Sequence, residues 1–437
     1  MIVRGAQVVT PEGITTTDVA IEDGRFAASG GGEEIDAHGL TMLPGLIDVH
    51  VHFNEPGRTE WEGAATGSRA LAAGGGTMFI DMPLNSSPCT IGAREFAEKR
   101  AALEKASVTD FALWGGIVPG NRGAMEELVE CGVIGFKAFM ANSGLPEFPR
   151  ADDLTLYEGM QEAAKLGLPV AVHAENDELV SGAARRAVGE GRAGVRDYLE
   201  SRPVIAEVDA IRRALLIAEE TGAKLHIVHV SSGRGVAAAL EGRRRGVDVT
   251  IETCAHYLYF GEEDMERLGA VLKCAPPLRE AAERKALWRA VTRGDVDLVA
   301  SDHSPAPPSM KQDSDFFRIW GGVAGVQSTL AVLLEIAPPE RVAALTAANP
   351  AVRFGLPGKG RVEAGCDADF TLVDLNAEYT LTRESLFQRH GFSPYVGATF
   401  RGKVRRTVVR GRTVFQDGKI VAEGGGRFVH AESRIHA

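Results

Sequence analysis

The chain has 437 residues, of which 44% are hydrophobic and 24% are charged, the usual proportions of a globular protein. This length exceeds one ordinary domain and suits an α/β barrel of about 250 residues with a smaller domain beside it. The formal net charge of -11 argues against nucleic acid or an anionic membrane as the main partner.

The N-terminal segment is predicted to form short strands separated by turns. Residues Ile2–Thr10 alternate loosely, and Val19–Ile21 leads into Asp23-Gly24, a dipeptide typical of hairpin turns. The C-terminal part returns to this style, with predicted strands at Asp369–Asp374 and Val404–Val409. These two segments indicate one small β domain built from both ends of the chain.

Apolar strand patterns alternate with helical patterns through the middle of the chain. The predicted strands are Leu43–Val51, Thr77–Met82, Phe111–Val118, Val133–Met140, Pro169–Val172, Leu225–Val230, Val247–Thr253 and Asp297–Ala300. The predicted helices include Glu95–Lys105, Leu154–Leu166, Val208–Thr221 and Glu280–Thr292. Eight strands with intervening helices is the count of a (β/α)8 barrel, in which the chemistry lies at the C-terminal ends of the strands.

We therefore predict an α/β fold with two domains. Residues 44–364 are expected to form the metal-dependent (β/α)8 TIM barrel. Residues 1–43 and 365–425 are expected to form a small β-sandwich domain, and residues 426–437 a poorly ordered tail after the glycine run.

Two histidines close the first predicted barrel strand. Side chains two residues apart on a strand point to the same face, so His50 and His52 aim at one point, as two ligands of one metal ion must. Neutral imidazole suits zinc and similar divalent ions. His173, His229 and Asp302 lie at or near the ends of later strands, which would bring all five side chains to one barrel mouth.

Lys137 is the unusual member of this set because it lies between apolar neighbours in the fourth predicted strand. A buried ammonium group is costly, so its pKa falls and the neutral amine becomes accessible. A neutral amine can add carbon dioxide to form a carbamate, whose two oxygens can bridge two cations. The alternative is a lysine that snorkels to the barrel mouth or pairs with Asp302.

Other histidines are predicted to bind no metal. His226 lies three residues before His229, so on a regular strand the two point to opposite faces, and His226 is interpreted as structural. His303 directly follows Asp302 and faces away from the same point, although it could still reach a substrate. The histidines of the β segments and the tail, which carry no catalytic signal, are His38, His430 and His436.

This pattern of histidines, lysine and aspartate on successive strands resembles the amidohydrolase superfamily. More narrowly, the chain resembles the cyclic amidohydrolases, a group that includes allantoinase, dihydroorotase and hydantoinase. The resemblance covers nearly the whole chain, including Leu43–Asp48 before the first histidine. It implies two divalent metal ions, zinc or else iron, cobalt or manganese. The implied ligands are His50, His52 and Asp302 for one ion, His173 and His229 for the other, and carboxylated Lys137 (N6-carboxylysine) between them.

Several positions bear on which cyclic amide is opened. Asn54 stands where dihydroorotases usually have an arginine that binds the substrate carboxylate, and Asn142 stands where hydantoinases usually have a tyrosine. The segments that look like allantoinase are 55–63, 81–86, 252–258, 273–277, 301–305 and 320–322. Ala255 and Ala306 depart from the usual family residues, which leaves the metal ligands intact but changes the expected pocket.

A neutral hydantoin ring with a ureido arm needs hydrogen bonds from amide, hydroxyl and backbone groups rather than a cation. The predicted substrate contacts are Asn85, Asn142, Ser143, His256, Ser304 and Gly322. Ordinary loop capping and turn chemistry is the alternative interpretation of these residues.

The resemblance implies metal-dependent hydrolysis of the hydantoin ring of allantoin to allantoate, in purine and ureide catabolism, by a homotetramer. Water activated by the ions would attack the ring carbonyl, and Asp302 would act first as general base and then as general acid. Hydantoinase, dihydropyrimidinase or dihydroorotase chemistry on the same scaffold is the alternative. A non-catalytic structural relative is a further alternative, which the presence of all six ligand positions disfavours.

The chain shows no pattern that would place it across a membrane. Its first residues lack a charged region followed by an apolar signal core, and no apolar run approaches the ~20 residues that span a bilayer. The five cysteines are scattered and form no CxxC pair, which is typical of reduced thiols. We therefore expect a soluble, cytoplasmic protein whose partner is a small molecule.

Overall fold

A computed structural model describes residues 1–431 of the chain. The strands are β1 (Ile2–Thr10), β2 (Gly13–Glu22), β3 (Arg25–Ala27), β4 (Glu34–Asp36), β5 (Thr41–Pro44), β6 (Leu46–Val51), β7 (Gly76–Asp81), β8 (Asp110–Leu113), β9 (Gly115–Gly116), β10 (Phe136–Phe139), β11 (Val170–His173), β12 (Leu225–Ile227), β13 (Val249–Cys254), β14 (Leu298–Ala300), β15 (Phe370–Thr380), β16 (Thr399–Val409), β17 (Arg412–Gln416) and β18 (Lys419–Ile420).

The helices lie mostly between the middle strands. They are α1 (Ala64–Ala73), α2 (Ala93–Ala106), α3 (Met125–Cys131), α4 (Asp153–Lys165), α5 (Asp177–Gly189), α6 (Val195–Ser201), α7 (Val204–Thr221), α8 (Gly233–Arg244), α9 (Ala255–Tyr259), α10 (Glu262–Leu268), α11 (Ala281–Arg293), α12 (Thr329–Ile336), α13 (Pro339–Ala343) and α14 (Asn349–Arg353). Short 3₁₀ or π turns lie at Arg122–Ala124, Gly269–Leu272, Pro308–Lys311, Ala344–Ala348 and Arg383–Ser385. Within the described part of the chain, no helix combines the length and apolar character needed to cross a membrane.

Strands β6 to β14 are parallel and pair in chain order. One run is β6-β7-β8 and the other extends from β9 to β14, with Trp114 alone between β8 and β9. After β14, His303 forms a parallel bridge with Val51, and the His52 amide donates to the His303 carbonyl at 2.8 Å. The last strand therefore lies beside the first. Every residue of β6 and β7 is buried, as expected for parallel strands covered on both faces, and the predicted α/β class is confirmed.

Polar caps begin three helices that follow strands of this parallel set. Asp152, Asn176 and Ser232 each accept a hydrogen bond from a backbone amide in the first turn of α4, α5 and α8, respectively. Asn176 comes three residues after His173, the last residue of β11. The cap therefore keeps the connection short and holds the end of the strand in place.

The two chain ends form one sheet of nine strands, ordered β18-β17-β16-β15-β5-β1-β2-β3 with β4 paired to β1. Because β5 pairs with β1 and β15, the single predicted strand Leu43–Val51 is in fact two strands in two sheets. Gly45 lies at the change of sheet, where a Cβ would come within 2.2 Å of the Thr77 side chain. The hairpin predicted at Asp23-Gly24 joins β2 to β3, with φ of 50° and 78°.

Residues up to 431 pack against the central strands after the glycine run. The Phe111 amide donates to the Arg427 carbonyl at 3.0 Å, and the Val429 amide donates to the Phe111 carbonyl at 2.8 Å. The Phe428 ring lies 5.6 Å from the Phe96 ring. These residues differ from the poorly ordered tail that the glycine run predicts, because Phe428 anchors them. Residues 432–437, including His436, lie outside the described residues.

Candidate metal centre

The predicted metal ligands converge at the C-terminal ends of the parallel strands. Four of them lie in or directly after β6, β10 and β11: His50, His52, Lys137 and His173. His229 and Asp302 follow β12 and β14, and both have a left-handed backbone, with φ of 39° and 46°. Residues other than glycine rarely adopt this conformation, and such strain is concentrated at functional sites.

Three of these side chains, hereafter the donor triad, are His50, His52 and Asp302. The Nε2 atoms of the two histidines each lie 3.3 Å from Asp302 Oδ1. One donor atom from each residue lies within 4.8 Å of the other two. Ligands that are about 2.0–2.2 Å from a zinc-like ion are separated by such distances, so the donor triad fits one divalent cation.

A second group of donors lies beside the triad. His173 Nδ1 and His229 Nε2 are 3.0 Å apart, and the ring centroids of His50 and His229 are 5.4 Å apart. Lys137 is fully buried, and its Nζ has no hydrogen-bond partner among the described residues. Two imidazole nitrogens and an unpaired buried amine fit a second cation and a carbamate bridge.

Two buried carboxylates, to which the sequence pattern assigned no role, hold the histidines in place. Glu252 Oε1 accepts a hydrogen bond from His50 Nδ1 at 2.8 Å and another from the His229 backbone amide at 3.1 Å. Glu175 Oε2 lies 2.9 Å from His173 Nε2. These contacts leave His50 Nε2 and His173 Nδ1 for a metal ion. An acidic residue in or next to a buried strand is the sequence signal that could have identified both.

His226 and His303 contact buried carboxylates rather than the donor atoms. His226 Nε2 lies 3.0 Å from Glu252 Oε2, so this histidine supports the carboxylate that orients His50. His303 Nε2 lies 3.4 Å from Glu62 Oε2, on the other side of the chain from Asp302. Both arrangements agree with the strand alternation used in the prediction, although β12 ends at Ile227, before His229.

Burial lowers the pKa of Lys137 to about 8, although the negative charges of Glu252 and Asp302 oppose this shift. A substantial fraction of the amine is therefore neutral near physiological pH. Neutral amine is the form that can react with carbon dioxide.

Four further donors have pKa values shifted toward the protonation states that metal ions need. Burial lowers the imidazole pKa of three ligand histidines: His50, His173 and His229. Burial alone would raise the pKa of Asp302, but His50 and His52 lower it to about 2. Neutral imidazoles and an ionised carboxylate are thus available at neutral pH, which is the donor set that binds zinc-like cations.

A cavity of about 500 Å³ opens onto the donors, a size that suits a small molecule. Five predicted substrate contacts line it: Asn85, Asn142, Ser143, Ser304 and Gly322. Asn85 Nδ2 donates to Ser304 Oγ at 3.2 Å. Gly322 has φ of 135°, and a Cβ there would lie 2.0 Å from the Ser304 carbonyl oxygen, so only glycine permits this approach.

The remaining predicted contact, His256, is not part of the cavity wall. Its ring is buried, its Nε2 has no hydrogen-bond partner among the described residues, and burial lowers its pKa to about 4. Asn142 and Ser143 also serve local turns. Asn142 Oδ1 accepts from the Gly144 amide at 3.0 Å, and Ser143 Oγ donates to the Phe148 carbonyl at 2.6 Å.

Comparison with known proteins shows the family to which the chain belongs. Residues 41–414 match the amidohydrolase family, and the chain belongs to that family. The allantoinase of Solibacter usitatus (strain Ellin6076) is 62% identical, with 100% of this chain and 98% of that protein covered. The allantoinase of Rubrobacter xylanophilus is 56% identical, with 99% and 98% covered. The allantoinase of Deinococcus radiodurans is 53% identical, with 99% of each covered.

Solved structures of hydantoinases have the same fold. An L-hydantoinase (dihydropyrimidinase) from Arthrobacter aurescens is similar with a TM-score of 0.95 and 33% identity, over 98% of this chain and 99% of that one. A D-hydantoinase (dihydropyrimidinase) from Thermus sp. is similar with a TM-score of 0.93 and 26% identity, over 100% of both chains. The similarity therefore includes the chain-end sheet as well as the parallel strands.

Proposed function

We propose that the protein hydrolyses the hydantoin ring of allantoin to allantoate, with two divalent metal ions held by the six donor residues. The observation that carries the proposal is a cavity lined by the donor triad and two further imidazoles. Lys137 is buried beside them, and its Nζ has no hydrogen-bond partner among the described residues. The substrate is supported by full-length similarity to proteins named allantoinase, at 62% and 56% identity.

The donor triad would hold one ion, and His173 with His229 would hold the other. Lys137 Nζ would form a bond to the carbon of CO2 and lose a proton, and the two carbamate oxygens would reach both ions. When bound, the cations supply Lewis acidity, which polarises a carbonyl group and lets water act as a nucleophile at neutral pH. Zinc is the first candidate, with iron, cobalt or manganese as alternatives, because nitrogen and oxygen ligands accept all of them.

Asp302 is placed to carry the proton that hydrolysis must move. The oxygen of water bonds to the ring carbonyl carbon, the C–N bond breaks, and one proton passes from water to the departing nitrogen. Asp302 contacts the histidines through Oδ1, which leaves Oδ2 to take and return that proton. The lowered pKa of Asp302 keeps its carboxylate ionised at neutral pH, which is the form that can accept a proton.

The surroundings of Asn54 favour a neutral ring over dihydroorotate. Asn54 is buried, and its Nδ2 donates to a neighbouring backbone carbonyl at 3.4 Å. Arg58 is engaged by Glu147 and by the Asn85 carbonyl at 3.2 Å, so it is not free to bind a substrate carboxylate. Two other cations that line the cavity are engaged, Arg202 by Glu175 and Lys273 by backbone carbonyls. Arg318, also on the cavity wall, is therefore the cation that we would expect to take this role.

The test is a comparison of catalytic efficiency on allantoin, a 5-substituted hydantoin and dihydroorotate with the same metal-loaded protein. We expect allantoin to be best and dihydroorotate to be at least ~100-fold poorer, because its carboxylate would be desolvated without a partner. If dihydroorotate were better, the interpretation of Asn54 would be wrong. Arg318→Met should then remove the preference.

Hydantoinase or dihydropyrimidinase activity is the second candidate, because the hydantoinase structures share the fold at TM-scores of 0.95 and 0.93. A higher efficiency on the 5-substituted hydantoin than on allantoin would favour it.

The proposal also takes β6–β14 as a (β/α)8 barrel over residues 44–364 and the chain-end sheet as a β-sandwich domain. The homotetramer is proposed from the family resemblance and can be tested by light scattering.

A further inference from the structure

Two lysines, Lys273 and Lys311, donate hydrogen bonds to one wall of the cavity. This wall segment is residues 317–322, between β14 and α12, and all six of its residues line the cavity. Lys273 follows the turn Gly269–Leu272, and Lys311 ends the turn Pro308–Lys311. Among the described residues, no ion pair includes either ammonium group, although Lys273 is buried and Lys311 is half-buried.

Backbone carbonyls of the wall segment take the place of the missing carboxylates. Lys311 Nζ donates to the Trp320 carbonyl at 2.8 Å, to the Gly322 carbonyl at 2.9 Å and to the Ala270 carbonyl at 3.2 Å. An ammonium group has three donors and no acceptor, so Lys311 uses all of its hydrogen-bonding capacity here. One side chain thereby ties the wall segment to the turn that precedes Lys273.

Lys273 acts on the other half of the wall segment. Its Nζ donates to the carbonyls of Phe317, at 3.2 Å, and Ile319, and it lies 4.8 Å from the centroid of the Tyr198 ring. The Gly322 amide returns a hydrogen bond to the Lys273 carbonyl at 2.7 Å. Burial lowers the pKa of both lysines to about 7, and backbone carbonyls are the groups that accept hydrogen bonds from each amine.

We propose that Lys273 and Lys311 are positioning residues that fix the wall segment against which the substituent of the bound ring lies. The four wall carbonyls that accept from these lysines belong to alternate or adjacent residues of one short segment. Loss of the lysine side chains should therefore loosen the whole wall segment. The same wall brings Gly322 against the Ser304 carbonyl, and Ser304 is in turn bonded to Asn85. This inference rests on the proposed function for the identity of the bound ring. The anchoring of the wall segment by the two lysines does not depend on that function.

The geometry separates binding from chemistry. Neither lysine belongs to the donor triad or to the second donor group, and the expected catalytic proton carrier, Asp302, makes no contact with them. A loosened wall should therefore weaken ground-state binding and leave the reacting atoms in place, which raises KM more than it lowers kcat. The effect should be larger for a ring with a ureido arm than for unsubstituted hydantoin, which reaches less of the wall.

The experiment compares Lys273→Met and Lys311→Met with the wild type, and uses Lys224→Met as the matched control. Lys224 also donates from Nζ to a backbone carbonyl, that of Gly167 at 2.9 Å, but it precedes β12 at the opposite end of the strands. Three quantities are measured for each protein: steady-state kinetics on allantoin and hydantoin, metal content, and hydrogen exchange of residues 305–322.

We expect KM for allantoin to rise at least ~10-fold in both test variants, the scale of a lost charge-assisted hydrogen bond. Exchange in residues 305–322 should quicken in these variants alone, with metal content unchanged. Unaltered KM and unaltered exchange would overturn the inference, as would faster exchange throughout the chain with kcat and KM lost together. If the wild type does not act on allantoin, the substrate proposal falls, while the exchange data still decide whether the lysines hold the wall.

Discussion

The two ends of the parallel strands each hold a buried lysine next to three chelating groups. The lysine at one end is paired with these groups, whereas the lysine at the other end is not. At the N-terminal end of β8, Lys359 Nζ lies 2.7 Å from Asp110, 3.0 Å from Asp367 and 2.6 Å from Asp369. At the C-terminal ends, Lys137 Nζ has no partner among the described residues and lies near the donor triad.

This difference shows which cluster is built for an added ion. Burial opposes the charge of Lys359, but the three aspartates outweigh it and raise its pKa above the usual range. The aspartate cluster thus contains its own cation and joins the chain-end sheet to β8. Burial instead lowers the pKa of Lys137 to about 8, so its charge is more easily lost, and among the described residues its Nζ makes no hydrogen bond to the donor triad. Three acidic or imidazole groups in proximity indicate a metal site only when no side chain already supplies the positive charge.

The largest effect is expected from Lys137→Ala. Without the amine no carbamate can form, so we expect turnover to be abolished and metal content to fall well below that of the wild type. A small carboxylic acid in the buffer should restore part of the activity, because it supplies two oxygens at the vacated position. The measurements are turnover and metal analysis of the purified variant, with and without the acid. Full activity with two bound ions would contradict the carbamate bridge.

The next effect is expected from Asp302→Asn. The amide keeps the shape of the side chain but cannot accept the proton of water, so turnover should fall at least ~100-fold, the usual scale for a lost general base. The pH–rate profile and thermal unfolding of the variant are measured with the wild type. A rate close to that of the wild type across the pH range would mean that the proton follows another route.

The sequence predicted which side chains converge at the C-terminal ends of the strands better than it predicted what supports them. Strand alternation is a local rule, so His50 and His52 could be placed on one face from their spacing alone. Glu252 could not be assigned in this way, because its partners His50 and His226 are 202 and 26 residues away in the chain. Its position depends on which strands become neighbours, and hydrophobic periodicity does not specify this.

The same limit applies to the fold. The α/β class follows from the repeated strand and helix patterns, but the division between β5 and β6 does not, since both are apolar and continuous in sequence. Likewise, the glycine run predicted a loose tail, whereas Phe428 finds a site between Phe96 and Phe111. Local composition contains no information on a distant apolar surface that can accept a side chain.

A smaller effect is expected from Glu252→Gln. The amide can no longer take the charge-assisted bond from His50 Nδ1, so the imidazole loses its fixed orientation, and we expect a ~10–100-fold loss of metal affinity or activity. Glu207→Gln is the matched control. Glu207 is equally buried but accepts from Ser231 and Ser232 instead of a ligand histidine. Competition with a chelator measures metal affinity in both variants. Equal losses in the two would show that burial of a carboxylate, rather than the contact with His50, is responsible.

The smallest effect on activity is expected from Lys359→Met, although its effect on stability should be large. Removing the cation leaves Asp369 without an ion-pair partner among the described residues, and leaves Asp110 and Asp367 with only their arginine partners. Loss of one partner from a buried ion pair typically costs about 3–5 kcal/mol of the free energy of unfolding. Because Asp110 lies at the opposite end of β8 from the cavity, kcat per folded molecule should be unchanged. Denaturant unfolding and active-site-normalised kinetics measure the two quantities.

The same variant tests the comparison of the two clusters directly. In Lys359→Met the three carboxylates, whose oxygens lie within 4.8 Å of one another, lack their internal cation and should bind Ca²⁺ or Mg²⁺, which prefer oxygen ligands. We therefore expect millimolar Ca²⁺ or Mg²⁺ to recover part of the lost stability in the variant and to leave the wild type unchanged. Equal stabilisation of both proteins would mean that the ions act elsewhere. A variant as stable as the wild type without added ions would mean that charge balance does not distinguish the two clusters.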